Sequence, residues 1–516
     1  MIPQDNMAAR QQDNAVFLPA ISSFYSHYIG KQRTSQFVPA SRIPATFQNG
    51  IEGLNFLNPD AAYFYYPWSL YSAGHANIDL EPDQKEEMVR NKPPGAFILG
   101  DSGGFQIGKG VWEGNWKDPN CPKAHAKRDG VLKWMDEFMD YGMVLDIPAW
   151  IARSPKGSSA TGITTYQEAL DGTYVNNDYW MRHRTGKCKF LNVLQGENHT
   201  QADDWYGHMK DYCDPKVYPG THFNGWAMAG QNMCDVHLTL RRIVTLIRDG
   251  LLEKGTHDWM HFLGVSKLEW ALLLTDIQNA VRKYHNPNFT ISFDCASPFL
   301  ANAKGQVYSR NRFEPFEKWT YQMDSGIDDK KYARDSRLYG DVARQDGIIP
   351  HFEDSHLSRH LKVSDICHYN PGDLNKNGKE GRTSWDSFGY CLQMGHNVWM
   401  HIDAVLTANE LYRKGQMPAM LASRKHEMIY FKEVVYDIIA NAATDRAMDL
   451  IEEHSRYWMD IVGVRGYVGK RTRNANTYFL ANFDEEYNMK IPEVKLVEEI
   501  IKPTAVPQFN SLFKEE

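Results

Sequence analysis

Eight short apolar runs, each closed by a polar or small residue, constrain this chain more than any other feature. They are AVFLPAI at 15–21, AYFYYPW around Tyr63, AFILGDSGGFQ from Ala96 and MVLDIP from Met143. The other four are FLNVLQGE from Phe190, FNGWAMAG from Phe223, HFLGVS from His261 and FTISFDCAS from Phe289. Apolar stretches this short, without polar alternation, suit strands buried on both faces. Helix-like apolar spacing at 132–141, 236–252 and 267–284 separates several of them. Strands alternating with helices predict an α/β chain, with a closed (β/α)8 barrel favoured over an open doubly wound sheet. No GxGxxG follows the first run, so a dinucleotide-binding fold has no support.

Composition limits the rest. A length of 516 residues exceeds one barrel of ordinary size and leaves room for an appendage. The chain reads as a barrel over 1–310, a polar insertion with a subdomain over 311–410, and a helical extension over 411–516. Residues 395–460 carry long amphipathic helical patterns, whereas 305–390 is polar and loop-rich. A formal net charge of −7 excludes a generally basic nucleic-acid coat, so any polyanion must be met by local patches. Seven scattered Cys with no CxxC pair predict reduced thiols. The opening MIPQDNMAARQQDN has no apolar signal core, and no run reaches 18 apolar residues. A cytoplasmic protein without membrane association is therefore expected.

The chemistry gathers where the runs end. Asp101, Asp146, Gln195, Gly230, Gly264 and Asp294 each lie at or just past the C-terminal end of a run, and in a barrel these ends converge on one mouth. In LGDSGGFQ, Asp101 precedes Ser102 and two glycines that let backbone approach a ligand, and Phe105 offers a flat face. Taken alone, Asp101 reads equally as a helix cap, and Asp294 in ISFDCA as a hydrogen-bonded structural carboxylate. Two carboxylates at one mouth suit glycosidic chemistry, one attacking the anomeric carbon while the other moves protons. Asp146 and Gln195 have the acceptors and donors to read the polar edge of a purine.

Six motifs in this order, DSGGFQ, LDIP, LQGE, GWAMAGQ, LGVS and FDCASP, resemble the queuine and archaeosine tRNA-guanine transglycosylases. The resemblance covers about residues 15–305 and fades towards 410. It implies a (β/α)8 barrel. It also implies Asp294 as the nucleophile that bonds to ribose C1′ and Asp101 as the acid/base. Ser102, Asp146, Gln195 and Gly230 would hold the base by hydrogen bonds, and Ala229 would also belong to the base-binding set. Phe105 would stack on it, Gly264 would form the pocket floor and Asp235 would lie beside the pocket. LDIP resembles the archaeal form, which implies the nitrile preQ0 as incoming base.

Three departures bear on the substrate. The family's structural zinc site corresponds here to Asp365, Cys367, Asn370 and His396, so two of four ligands have changed. Asn is a poor zinc ligand, so a degenerate zinc-type subdomain without metal is expected, and the chemistry itself requires no cofactor. The family's basic PTRNAR segment reads Pro298-Phe299-Leu300-Ala301-Asn302-Ala303-Lys304, which keeps only the last cation. Residues 410–516 do not resemble the tRNA-binding domain of archaeal members. Together these features resemble the DpdA-type DNA-guanine transglycosylases, many of them encoded by phages, which insert 7-deazaguanines into DNA. Implied partners are guanine-containing DNA and a 7-deazaguanine base, with a homodimer left open. Lys304, Arg310, Arg312, Lys330, Lys331, Lys470, Arg471 and Arg473 are candidate phosphate contacts, and each also reads as ordinary solvated surface. The rival readings are a tRNA-guanine transglycosylase with a degenerate zinc site and a non-catalytic transglycosylase-like subunit.

Overall fold

Consecutive buried side chains, rather than alternate ones, mark the strands of the central sheet. The computed structural model describes residues 2–35, 38–81, 86–315, 317–368, 383–421 and 430–461. Eight strands are hydrogen-bonded in one parallel sheet: β1 (Val16–Pro19), β2 (Trp68–Ser72), β3 (Phe97–Asp101), β4 (Tyr141–Met143), β5 (Lys189–Leu194), β6 (Gly225–Met228), β7 (Trp259–Phe262) and β8 (Thr290–Cys295). Their order is β1-β8-β7-β6-β5-β4-β3-β2. A parallel bridge between Ala20 and Leu70 makes the sheet nearly closed and barrel-like. Five helices alternate with the later strands: α1 (Pro122–Phe138), α2 (Tyr166–His183), α3 (His199–Met209), α4 (Val236–Arg248) and α5 (Leu268–Tyr284). In β5, the five residues after Lys189 are all buried, the pattern of a strand covered on both faces.

The second strand is displaced from its expected place. The run around Tyr63 contributes Phe64–Tyr65, which pairs with Asp5–Asn6 outside the main sheet. The sheet strand starts after Pro67. Proline offers no N–H to a ladder, but its carbonyl still accepts from Phe97 N at 2.7 Å. Helices α2 and α3 lie outside the helix-like stretches named above.

The chain divides into two compact units. One comprises Ser72–Leu80, Leu99–Asp294 and Ala419–Glu516. In it the extension contributes α8 (Phe431–Ala440), α9 (Asp445–Glu453) and α10 (Ser455–Ile461). Helix α8 packs on α5, while α9 and α10 pack on α4. Arg248 Nε donates to Ala442 O at 2.9 Å, and His285 Nε2 meets Ile439 O at 2.8 Å. This cover explains why α5 is buried almost all round.

The other unit comprises Met1–Tyr71, Glu81–Ile98 and Cys295–Pro418. The stretch expected to be loop-rich contains an antiparallel hairpin, β9 (Gln306–Arg312) with β10 (Thr320–Ser325), bulged between Tyr308 and Arg310. The 27-residue helix α7 (Ser387–Arg413) packs on β9 and on a short helix, α6 (Ser297–Ala303). It is buried on every face over most of its length, and so is not the amphipathic helix its surroundings suggested. Asp386 caps it by accepting from Gly389 N at 2.7 Å. The same carboxylate takes a bidentate pair of bonds from Arg42 at 2.7 and 2.8 Å, both side chains being buried. Breaking such a pair from one side costs about 3–5 kcal/mol, because the survivor stays charged and dry. No described helix is long and apolar enough to cross a membrane.

Candidate active site

Every residue proposed from the sequence to handle the base or attack the sugar lies in the unit that holds Leu99–Asp294. They sit at or just beyond the C-terminal ends of β3 to β8, where the ladder stops and side chains are freed from packing.

Asp101 is the last residue of β3. Its Oδ2 accepts a short hydrogen bond from Ser72 Oγ, and Ala73 N donates to its carbonyl at 2.8 Å. The chain then turns through Gly103, whose φ of +82° requires glycine. Gly104 follows with no side chain, and a methyl there would lie 2.8 Å from Asp146 O and 3.1 Å from Asp146 Oδ1. Phe105 is buried, tilted against Trp150 at 5.6 Å, with the Lys109 ammonium 5.6 Å from its ring centre. Ser102 is buried beside it in sequence.

Asp146 lies past the three-residue strand β4, in a loop that α2 holds. Asn176 Nδ2 donates to Leu145 O at 2.6 Å, and Ile147 N donates to Thr173 Oγ1 at 2.9 Å. The Asp146 carboxylate is 5% exposed and accepts from Gln195 Nε2 at 2.6 Å. Burial pushes its pKa up to about 7; the Gln195 bond opposes the shift and the charge of Asp101 adds to it. Asn232 fixes the Gln195 turn by donating to the carbonyls of Leu194, Gln195 and Ala229 at 3.1–3.2 Å. Gly230 has φ +56°, and a Cβ there would stand 2.3 Å from Gly196 O. This close approach holds Ala229 and Gly230 against the Gln195 turn, with Ala229 N donating to Leu194 O at 3.0 Å.

Asp235 is less free than the sequence suggested. It caps α4 by accepting from Leu238 N at 3.2 Å, and its other oxygen meets His199 Nε2 at 2.8 Å and Gln231 Nε2 at 3.2 Å. Burial opposes ionisation, yet these partners outweigh it and hold the pKa down to about 2. Its contacts make it a brace for the 230–236 turn.

Asp294 lies in β8 one residue past the last position paired with β7, with its side chain 13% exposed. Oδ1 accepts from Gly264 N at 2.8 Å and faces His261 Nε2 at 3.1 Å. Gly264 reaches it from a left-handed turn at φ +66°. Among the described residues Oδ2 receives no hydrogen bond. A carboxylate with one oxygen pinned and the other open is oriented for nucleophilic attack.

No protein-family model matches the sequence, and no curated protein matches it.

The other unit holds the predicted phosphate contacts from Lys304 to Lys331 and the zinc-type positions. Lys304 is exposed, and Arg310 Nε donates to Gln322 Oε1 at 2.9 Å. Arg312 is paired with Glu314 at 3.4 Å and Glu317 at 3.9 Å, which blunts its attraction for phosphate. Lys331 pairs with Asp329 at 3.3 Å. Lys470, Arg471, Arg473 and Asn370 lie outside the described residues. His396 uses both ring nitrogens in the core, with Nε2 at 2.8 Å from Tyr308 O and Nδ1 at 2.8 Å from Ser355 Oγ. Burial lowers its pKa to about 4. Cys367 Sγ donates to Ile327 O at 3.2 Å, and Asp365 accepts from Lys362 N at 2.8 Å as a helix cap. Among the described residues no three His, Cys, Asp or Glu side chains group to hold a metal.

Sequence reasoning missed Ser72, Asn232, His261 and Ser292. Ser72 and Asn232 have no local signal, since their partners lie 29 and 37 positions away. His261 stood inside a quoted motif, but only strand register sets it opposite Ser292 and within reach of Asp294.

The raised Asp146 pKa yields a stability prediction. A carboxyl whose folded pKa exceeds its unfolded value stabilises fully below about 4, and that contribution is lost as pH rises through about 7. The loss amounts to roughly 4 kcal/mol at most. Asp146→Asn keeps an acceptor for Gln195 and has no charge to desolvate. Melting curves from pH 4 to pH 8 should show the variant gaining on the wild type between about pH 4 and pH 7 and no further above that. Parallel curves would show that Asp146 does not titrate in this range.

Proposed function

We propose that this chain is a DNA-guanine transglycosylase, a pentosyltransferase that exchanges guanine in DNA for a 7-deazaguanine, with preQ0 the preferred incoming base. The observation that carries the reading is the Asp294 carboxylate, with Oδ1 held by Gly264 N and His261 and Oδ2 open. The Asp146–Gln195 pair supports a purine site beside it, because a carboxylate and an amide supply the acceptors and donors a guanine edge needs. The nearly closed eight-stranded sheet agrees with a (β/α)8 barrel, and the region around Asp365, Cys367 and His396 would be its degenerate zinc-type subdomain.

On this reading, the Asp294 Oδ2 electron pair bonds to deoxyribose C1′ as the C1′–N9 bond breaks. Its electrons leave with guanine, which takes a proton from Asp101. The incoming base returns a proton from its own N9 to Asp101, and N9 attacks C1′. The C1′–Oδ2 bond then breaks and the carboxylate is restored. The target guanine must leave the stack first, at a cost of a few kcal/mol in duplex and less in single strands. Insertion of 7-deazaguanine would shield phage DNA from restriction.

DNA is preferred over tRNA because the basic segment that follows the nucleophile in the tRNA enzymes lacks its first arginine here, and Pro298-Phe299-Leu300-Ala301-Asn302-Ala303-Lys304 keeps only the last cation.

The test supplies purified protein with labelled guanine and either DNA or unmodified tRNA. Label should enter DNA, and nucleosides from DNA treated with preQ0 should contain the preQ0 deoxynucleoside by mass spectrometry. Label entering only tRNA would replace this reading with the tRNA enzyme. No incorporation into either would leave a non-catalytic subunit as the better account.

A further inference from the structure

The buried neighbours of Asp294 form a chain of donors with a fixed direction. Trp259 Nε1 donates to Ser292 Oγ at 2.8 Å, and Ser292 Oγ lies 2.9 Å from His261 Nδ1. His261 Nε2 lies 3.1 Å from Asp294 Oδ1. Parallel register pairs His261 with Ser292, and Ser292 and Asp294 alternate onto the same sheet face. Both His261 and Ser292 are fully buried. An indole N–H can only donate, so Ser292 Oγ accepts from Trp259 and directs its own hydrogen at His261 Nδ1. Nδ1 is then the acceptor, and the ring proton sits on Nε2, pointing at the carboxylate. The other tautomer would set a nitrogen lone pair against Oδ1 and leave the Ser292 hydroxyl without its acceptor.

We propose that His261, held in its Nε2–H tautomer by Ser292 and Trp259, is a positioning residue that makes Asp294 a better leaving group in the second displacement. This rests on the transglycosylase reading above. In the covalent intermediate Oδ2 is bonded to C1′, and Oδ1 is the ester carbonyl oxygen. When the incoming base attacks, the C1′–Oδ2 bond breaks and its electron pair spreads over both oxygens. Two N–H donors already aimed at Oδ1, from Gly264 and His261, stabilise that developing charge without reorganising. The first displacement gains less, because there the carboxylate loses charge. Removing His261 should therefore slow resolution of the intermediate more than its formation.

The experiment has two arms. In the first, guanine exchange and the protein–DNA adduct are followed for the wild type, His261→Ala and His261→Gln. His261→Ala should lower kcat on the order of 10²-fold, with the KM for DNA falling alongside it as the adduct accumulates. His261→Gln carries an amide N–H that can reach Oδ1 and should restore most of the rate. Equal losses in both variants without adduct accumulation would mean that His261 only fills space, and would overturn the proposal. If the wild type neither exchanges guanine nor forms an adduct, the transglycosylase reading falls and this role falls with it.

The second arm needs no activity. Nitrogen-15 NMR of imidazole-labelled full-length protein should place the His261 proton on Nε2, and Ser292→Ala should weaken that preference. A proton on Nδ1 would overturn the proposal even in an active enzyme.

Discussion

Replacing Asp294 by alanine is expected to abolish base exchange, with kcat falling at least about 10⁴-fold. On the proposed reading this carboxylate is the group that bonds with C1′, and loss of a covalent nucleophile is among the most damaging changes an enzyme can undergo. The covalent protein–DNA species, trapped by denaturing electrophoresis of wild type with DNA alone, should vanish with it. The fold should survive. Asp294 is partly exposed, and among the described residues its side chain meets one backbone N–H and one imidazole nitrogen, with no Lys or Arg partner to strand. Matching circular dichroism and a melting temperature within a few degrees would confirm that the chemistry alone was lost. Exchange at near wild-type rate would place the nucleophile elsewhere.

Asp101→Asn should have the second largest effect, a fall of about 10²–10⁴-fold in kcat, the usual worth of a general acid–base group. The substitution keeps an oxygen to accept from Ser72 Oγ and, through that bond, the position of the side chain. What it removes is the exchangeable proton. Both displacements need that proton, so the adduct should form slowly as well as resolve slowly, unlike the outcome expected for His261→Ala. The pH profile of kcat/KM should lose the limb that reports this group. An unchanged profile with only a modest rate loss would reduce Asp101 to a structural cap of the Ser72 turn.

These two carboxylates also show how far sequence can be read. Each sat at the end of an apolar run, where its type and position raised suspicion but left a structural role open. Asp235, which the resemblance alone set beside the pocket, caps a helix and is braced by His199 and Gln231. No local pattern separates the two cases. The difference lies in which distant groups reach each carboxylate, and that depends on strand order. The helix α7 taught the same lesson in packing. Its apolar residues ran beyond one face, and only the hairpin and α6 packed against it account for the burial.

By itself the sequence determined the alternation of buried strands with helices, and it determined that the acidic and amide groups fall at the strand ends. Both are local properties, set by runs of apolar residues and by the polar residues that stop them. Strand order and register were decided only in the tertiary structure. Parallel pairing of β7 with β8 brings His261 within reach of Asp294 across 33 positions, and the loop after β4 meets the end of β5 so that Gln195 reaches Asp146 across 49. The physical reason is that hydrogen-bond partners and buried charges are fixed by distance in space. A strand ladder folds distant segments side by side in a register that no single segment encodes.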